Sequence, residues 1–354
     1  MTNWIALWIL KQKKKFTALQ TALKETYAVS SVNETFSVNP TAAQFLIEDI
    51  KKTDDFLERI NIITVSQQFG DAIGLGIGGL IASRTDTGSG KERKTRSAHE
   101  MSAIKYECAQ TNFDTHITYK QLDAFAHLKN FEERVNDKIR IQSDLDKVRV
   151  GFYGVSAQSD TDVEAYPNGE DVNQGWIELL RKYKSSQILS EVVVDSGEIR
   201  IGEGGDFVNL DLAVLNVKNK LDDVFLSTND LVAIVSSELI ATDQARLYAE
   251  NGNTPSEKSK IEMRQVIATY GGLPTFAVSS FPPRGIMVTS FDNLSIYILE
   301  NSIRKSVGEL NDKLDRVENF ESVGMAYMVE QPTKAAALEF KNVKLKQAGS
   351  DIWA

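Results

Sequence analysis

Few of the 354 residues are of a type and spacing that could do chemistry. Gly74-Leu75-Gly76-Ile77-Gly78-Gly79 fits the pattern G-x-G-x-x-G. A dinucleotide site needs those glycines between a strand and a helix, so that the helix N-terminus faces the pyrophosphate. Here Leu80 to Gly90 reads on as strand and Gly/Ser/Thr-rich turn, with no helix to supply that dipole. The expectation is a strand with one glycine face, and a nucleotide-binding enzyme using the Gly74-Gly79 stretch stands as the alternative. Gly90-Lys91 does not end a Walker loop, because Thr85 replaces its first glycine and Glu92 its Ser or Thr. The histidines His99, His116 and His127 lack a second histidine or a cysteine at zinc-motif spacing. Cys108 and His116 could be neighbours on a strand, yet no third group nearby would orient them for nucleophilic catalysis. Lys91, Arg93, Lys94 and Arg96 could touch phosphate, but a short basic run is more simply solvated or paired with acidic groups on a neighbour. No catalytic, cofactor-binding or metal-ligating residue is expected.

Composition narrows the classes further. Forty Lys+Arg against 49 Asp+Glu give a net charge of −9, which argues against a protein that simply coats nucleic acid. The single cysteine excludes an intramolecular disulfide and a cysteine-only zinc site. The longest apolar run, Trp4 to Leu10, is far short of the ~20 residues a bilayer helix needs. Its basic residues Lys11, Lys13, Lys14 and Lys15 follow the run instead of preceding it, so it makes a poor signal peptide, and a cytosolic product with no membrane partner is expected. At ~150 residues per domain the length suggests two to three domains.

The elements that must position these residues are unusual. Phe16, Leu19, Leu23 and Tyr27 form one apolar stripe at helical spacing over the first thirty residues. Turn-prone residues from Ser30 to Pro40 follow, and a helix is expected from Thr41, boxed with Gln44, to about Asn61. The glycine strand, its polar tip from Ser83 to Arg96 and a return through Tyr106, Cys108 and Gln110 towards Phe113 make a hairpin of about fifty residues with little to bury on itself. Isolated two-stranded hairpins are marginal in water, so this one is either disordered or held by another subunit. A helix from about Thr118 to Val150, ended by Gly151, would be a beam of roughly 50 Å with a solvated charged face. Beyond it come a helix over Val172–Tyr183 containing Trp176, a hairpin over Glu191–Ile201 turning at Ser196-Gly197, and a helix over Leu210–Phe225. A buried strand over Leu231–Val235, a helix capped by Ser236, and strands at Thr275–Ser279, Ile286–Thr289 and Leu294–Leu299 complete a compact α/β unit. Strand-like alternation returns in part over Leu314–Phe340.

That order of elements resembles the major capsid protein of tailed phages, whose fold is named after phage Hong Kong 97. The sequence is most similar to the peduovirus-type branch, over nearly the whole chain after about Lys13. The stretches that carry the likeness begin with Asp55-Phe56-Leu57-Glu58-Arg59-Ile60-Asn61-Ile62, Ile81-Ala82-Ser83-Arg84-Thr85-Asp86-Thr87 and Lys105-Tyr106-Glu107-Cys108. Gly151-Phe152-Tyr153-Gly154-Val155, Gly175-Trp176 and Ile199-Arg200-Ile201-Gly202-Glu203-Gly204-Gly205-Asp206 follow. Gly272-Leu273-Pro274, Asn293-Leu294-Ser295-Ile296-Tyr297 and Leu314-Asp315-Arg316-Val317-Glu318-Asn319-Phe320-Glu321-Ser322 complete the series. Each is weak alone; in order and at similar spacing they are specific.

The resemblance implies an α+β fold with an N-terminal arm, an extended loop hairpin, a long spine helix, and peripheral and axial domains. On this chain the parts would be an interior, scaffold-contacting helix over 1–36, the arm over 37–65 and the hairpin over 66–117. The peripheral domain with its spine helix would take 118–205, the axial domain 206–312, and the return to the periphery 313–354. It further implies a structural protein without an active site or cofactor, working in the virion as pentamers and hexamers of itself, and assembled in the host bacterial cytoplasm. The implied partners are an internal scaffold, a prohead protease, a portal protein and packaged double-stranded DNA contacted without sequence specificity. A protease cut is expected between Ser30 and Pro40. Met1 to Gln12 departs from the family pattern, and no lysine and asparagine pair matches the cross-link of some relatives.

Overall fold

The structure, a computed structural model, describes residues 36–37, 50–51, 54–77, 82–89, 91–93, 95, 99–125, 131–251, 269–346 and 352–354. The helix expected over the first thirty residues and the Thr41/Gln44 capping box lie outside the described residues. Contacts divide the chain into two units, one drawn from Met1–Gln68, Cys108–Val148 and Ile296–Ala326, the other from Phe69–Glu107, Arg149–Ser295 and Tyr327–Ala354.

In the first unit, α1 (Asp55–Arg59) starts afresh because Asp54 is extended at φ −139° and its carboxylate accepts from the Phe56 amide at 2.7 Å. A single helix from Thr41 to Asn61 is therefore not what forms at this end. Phe56, Leu57 and Ile60 are buried, and the chain turns at once into β2 (Asn61–Val65). A seven-stranded sheet runs in the order β1 (Phe36–Ser37), β14 (Arg304–Asn311), β15 (Arg316–Val329), β13 (Leu294–Leu299), β2. Two more strands, β5 (Ala109–Asn112) and β6 (Thr115–Thr118), pair antiparallel with β15. One row of this sheet reads Ser37, Arg304, Ser322, Asn112, from β1 across to β5. Of the expected beam helix the structure describes α2 (Tyr119–Phe125) and α3 (Phe131–Tyr153), the 23 residues of α3 spanning roughly 35 Å, while residues 126–130 lie outside the described residues.

Gly151 does not end α3, which continues to Tyr153. Its role is close approach, because a Cβ there would lie 2.3 Å from the Trp176 ring. That contact belongs to the second unit, where α4 (Trp176–Tyr183) starts at Gly175, itself pressed against the Gly151 carbonyl.

The second unit holds a six-stranded sheet in the order β10 (Thr269–Tyr270), β11 (Leu273–Phe276), β9 (Val232–Val235), β12 (Ile286–Thr289), β16 (Ala336–Leu338), β7 (Ile188–Leu189). β9 and β12 are buried at every residue, which explains their continuous apolar runs. β13, expected in this α/β unit, belongs to the other sheet. Against the six strands packs α5 (Leu210–Lys218), which buries Leu210, Ala213, Val214 and Val217 and stops well short of Phe225. Ser236 caps α6 (Ser237–Asn251) as expected, its hydroxyl accepting from the Leu239 amide at 3.2 Å. The expected hairpin turning at Ser196-Gly197 does not form; the chain turns earlier, at Val194-Asp195, where the Ser196 amide donates to the Val193 carbonyl at 3.0 Å. β8 (Ile199–Ile201) pairs in parallel with β17 (Val343–Leu345), while Val192, Val193 and Val194 stay exposed. The Glu191 carboxylate holds that turn by accepting from the amides of Asp195 and Gly197, both at positive φ.

Candidate functional site

The glycine stretch folds as half of a hairpin. β3 (Phe69–Ile77) pairs antiparallel with β4 (His99–Glu107), residue for residue from Phe69–Glu107 to Ile77–His99. Gly74 and Gly76 sit in register with Ser102 and Glu100, inside a strand, so they do not form the strand-to-helix turn a pyrophosphate would need. Gly78 and Gly79 lie outside the described residues, as do Lys94, Arg96 and His127. The return strand starts earlier than the sequence suggested and leaves the hairpin after Glu107, since β5 pairs with β15. At one position the glycine face is filled from within: Gly70 faces Tyr106, and a Cβ on Gly70 would lie 2.5 Å from the Tyr106 hydroxyl. The hairpin is a two-stranded sheet of its own among the described residues. Phe69 at its base is 60% exposed. At the tip Arg84, Lys91 and Arg93 are exposed.

Cys108 and His116 are not brought together. Ala109 is opposite Met325 and His116 opposite Glu318, so the pair is separated by roughly 23 Å along β15. His116 is exposed, whereas Cys108 is buried, and burial pushes its thiol up to about 11. A thiol so placed is a small apolar filler and no nucleophile. Alkylation of the native protein at pH 8 is therefore expected to run at least roughly 100-fold slower than alkylation of the unfolded chain. Equal rates would overturn this placement.

Sequence reasoning missed a feature of α3. The charges read as a solvated face are exposed at Arg134, Asp137, Lys138 and Arg140; Asp144 and Lys147, which that reading did not include, are buried. The Lys147 ammonium donates to Asp144 at 2.8 Å and to Ser143 at 3.0 Å, and lies 4.7 Å above the Phe113 ring. The signal was their position within the apolar stripe, flanking Leu145 and beside Val148. Next to this pair a groove of about 600 Å³ opens between the β5–β6 connection and α3, with Phe113, Val135 and Ile139 in its wall. Elsewhere apolar side chains also face outward: α5 exposes Leu212 and Leu215 on the side opposite its core face, near Val208 in sequence. A helix apolar on both faces is suited to burial in an assembly. Among the described residues no group of His, Cys, Asp and Glu could hold a metal ion, and no helix is long and apolar enough to cross a membrane.

Among the described residues the arrangement offers a hairpin paired only with itself and a surface groove. The model of the family described as phage major capsid protein, P2 family, matches residues 15–340. The capsid protein of Escherichia phage P2 is 35% identical over 336 residues, covering 92% of this chain and 93% of its own. The major capsid protein of Serratia phage KSP20 is 29% identical, covering 88% of this chain and 90% of its own. Among solved structures, a chain of the satellite phage P4 procapsid superposes with a TM-score of 0.74 at 33% identity, over 97% of this chain and 99% of that one. A capsid chain of a native GTA particle shares the fold at a TM-score of 0.52 and 14% identity, over 81% of this chain and 89% of that one.

Proposed function

Since the chain belongs to the P2 family of phage major capsid proteins and so forms the icosahedral shell of a tailed phage, we propose that it works through its edges alone, with no catalytic residue, bound cofactor or metal. The observation that carries this reading is the β3–β4 hairpin, whose strands pair only with each other among the described residues. A ribbon of that kind gains its stability by lying on a neighbouring subunit. Such contacts are heterologous, and rings of five and six follow wherever the rotation closes. The nucleotide-binding alternative finds no support in the hairpin or in the relatives.

The finer assignments are parts of the same proposal. Residues 118–205 and 313–354 take the peripheral role and 206–312 the axial one, with β7 and β16 joining the axial strands from outside that range. Residues 1–36 face the interior and meet the scaffold, and a prohead protease cuts between Ser30 and Pro40. The portal protein and packaged double-stranded DNA are the remaining partners. DNA contact runs through scattered basic residues, is independent of sequence and weakens with salt. Assembly takes place in the host bacterial cytoplasm.

Light scattering coupled to size-exclusion chromatography, with negative-stain microscopy, tests the central claim. With a scaffold present, pentamers, hexamers or shells are expected; a monomer that never assembles overturns it. Mass spectrometry of mature particles should find a new N-terminus between Ser30 and Pro40. An intact N-terminus there rules the cut out.

A further inference from the structure

We propose that the groove between the β5–β6 connection and α3 is the seat of the chain's own amphipathic segment Phe16–Tyr27, docked in the same subunit that carries it. The groove wall offers an apolar patch at Phe113, Val135 and Ile139, which Lys138, Gln142 and Ser143 continue as a polar wall. Val135 and Ile139 stand one helical turn apart on α3, both half-buried, and Phe113 faces them from the strand side, with Arg134 and Asp146 marking the two ends of the α3 wall. A ring braced by a buried lysine–aspartate pair makes that wall rigid. From Arg134 to Asp146 the helical wall measures roughly 18 Å. The stripe Phe16, Leu19, Leu23, Tyr27, as a helix, measures roughly 17 Å. An apolar stripe read at i, i+3, i+7 and i+11 laid into an apolar groove is a common mode of helix recognition.

The tether argues for docking in cis. The segment is joined to β1, and Ser37 in β1 shares a sheet row with Asn112, a residue of the groove. Three strand spacings along that row come to about 14 Å. The nine Cα–Cα steps from Tyr27 to Phe36 have a root-mean-square reach of about 17 Å as a flexible chain. A linker whose reach matches the span gives an effective concentration on the order of millimolar, which a copy from another subunit must exceed. Docking is thus a property of the uncut chain, and it does not depend on where, or whether, the protease acts. If the cut is made, it removes the occupant and opens the groove on every subunit at once.

Disulfide trapping in the full chain tests the seat. Leu23→Cys combined with Ile139→Cys places one thiol on the stripe and one in the groove, with the buried Cys108 left in place. Thr21→Cys combined with Ile139→Cys is the control, since it has the same tether but lies off the stripe. Expected is an intramolecular disulfide formed at least tenfold faster in the first pair than in the control. Equal rates would mean tethered encounter without docking and overturn the proposal, and so would a predominance of disulfide-linked dimers, which would place the segment on another subunit. As a second readout, Ile139→Glu should increase protease cleavage within residues 16–27 at least fivefold in otherwise folded protein; unchanged cleavage counts against docking. Light scattering on the same samples scores assembly separately, so failure to form shells and failure to dock are distinguishable.

Discussion

Trp176→Ala is expected to lower the stability of the subunit by about 3–5 kcal/mol, the cost of truncating a large buried aromatic. Trp176 is fully buried, meets Phe152 edge-on at 4.9 Å and Tyr327 at 5.2 Å, and donates its indole N–H to the Ser295 carbonyl at 3.1 Å. Truncation leaves a cavity among rings and takes a donor from a buried carbonyl together. Against a total stability of about 5–15 kcal/mol for a typical domain, that is a large fraction. Urea unfolding followed by circular dichroism reads it as a lower midpoint at unchanged slope. A loss under about 1 kcal/mol would show that the site collapses around the gap. Gly151→Ala probes the same contact from the other side, since its Cβ would press 2.3 Å from the indole. Alone it should cost about 1–3 kcal/mol through overpacking. In the Trp176→Ala background its cost should largely vanish, because the atom it collides with has gone.

Gly151 also shows what could and could not be seen beforehand. Its neighbourhood Gly151-Phe152-Tyr153-Gly154 was legible as a family feature, but a glycine in a helical pattern reads locally as a stop. Only a tertiary fact, the approach of Trp176, turns it into a packing position inside α3. The same limit applies at Val192-Val193-Val194. Strand propensity there is high, yet β8 finds its partner in β17, some 140 residues further on, and the valines are left outside. Where one face or one whole strand is buried, local pattern sufficed: β9, β12 and the Ser236 cap lie where the apolar runs and the hydroxyl placed them. The hairpin was legible because glycine alternation at period two suits a strand and little else. The α3 groove was not, since it depends on the register that sets the β5–β6 connection beside α3. Asp144 and Lys147 lay outside the charges read as a solvated face; on a helix whose apolar stripe they interrupt, they form a buried pair.

Excision of the whole hairpin, residues 69–107, is expected to abolish shells while leaving the subunit folded. The chain can be rejoined there because the Cys108 amide donates to the Gln68 carbonyl at 2.9 Å, so the two stem residues already face each other. An Asn-Gly pair between Gln68 and Cys108 then closes a two-residue turn of the kind antiparallel strands favour. Ile104 is the one apolar side chain of the hairpin that is buried among its described residues, and losing it costs about 1.5–3 kcal/mol. Replacing a 39-residue connection by a two-residue one offsets roughly 2–3 kcal/mol in closure entropy. The two terms nearly cancel, so the unfolding midpoint should move little. Assembly should respond in the opposite way, since the ribbon's only proposed source of stability is the neighbouring subunit on which it lies. Light scattering with scaffold present should report masses no larger than single rings, and microscopy should find no closed particles. Closed particles from the excised chain would mean that subunits hold one another by other edges, such as the outward face of α5, and the hairpin would lose its role as the principal contact. Unfolded protein would locate the failure instead in the burial of Ile104, which Ile104→Ala in the uncut hairpin measures separately.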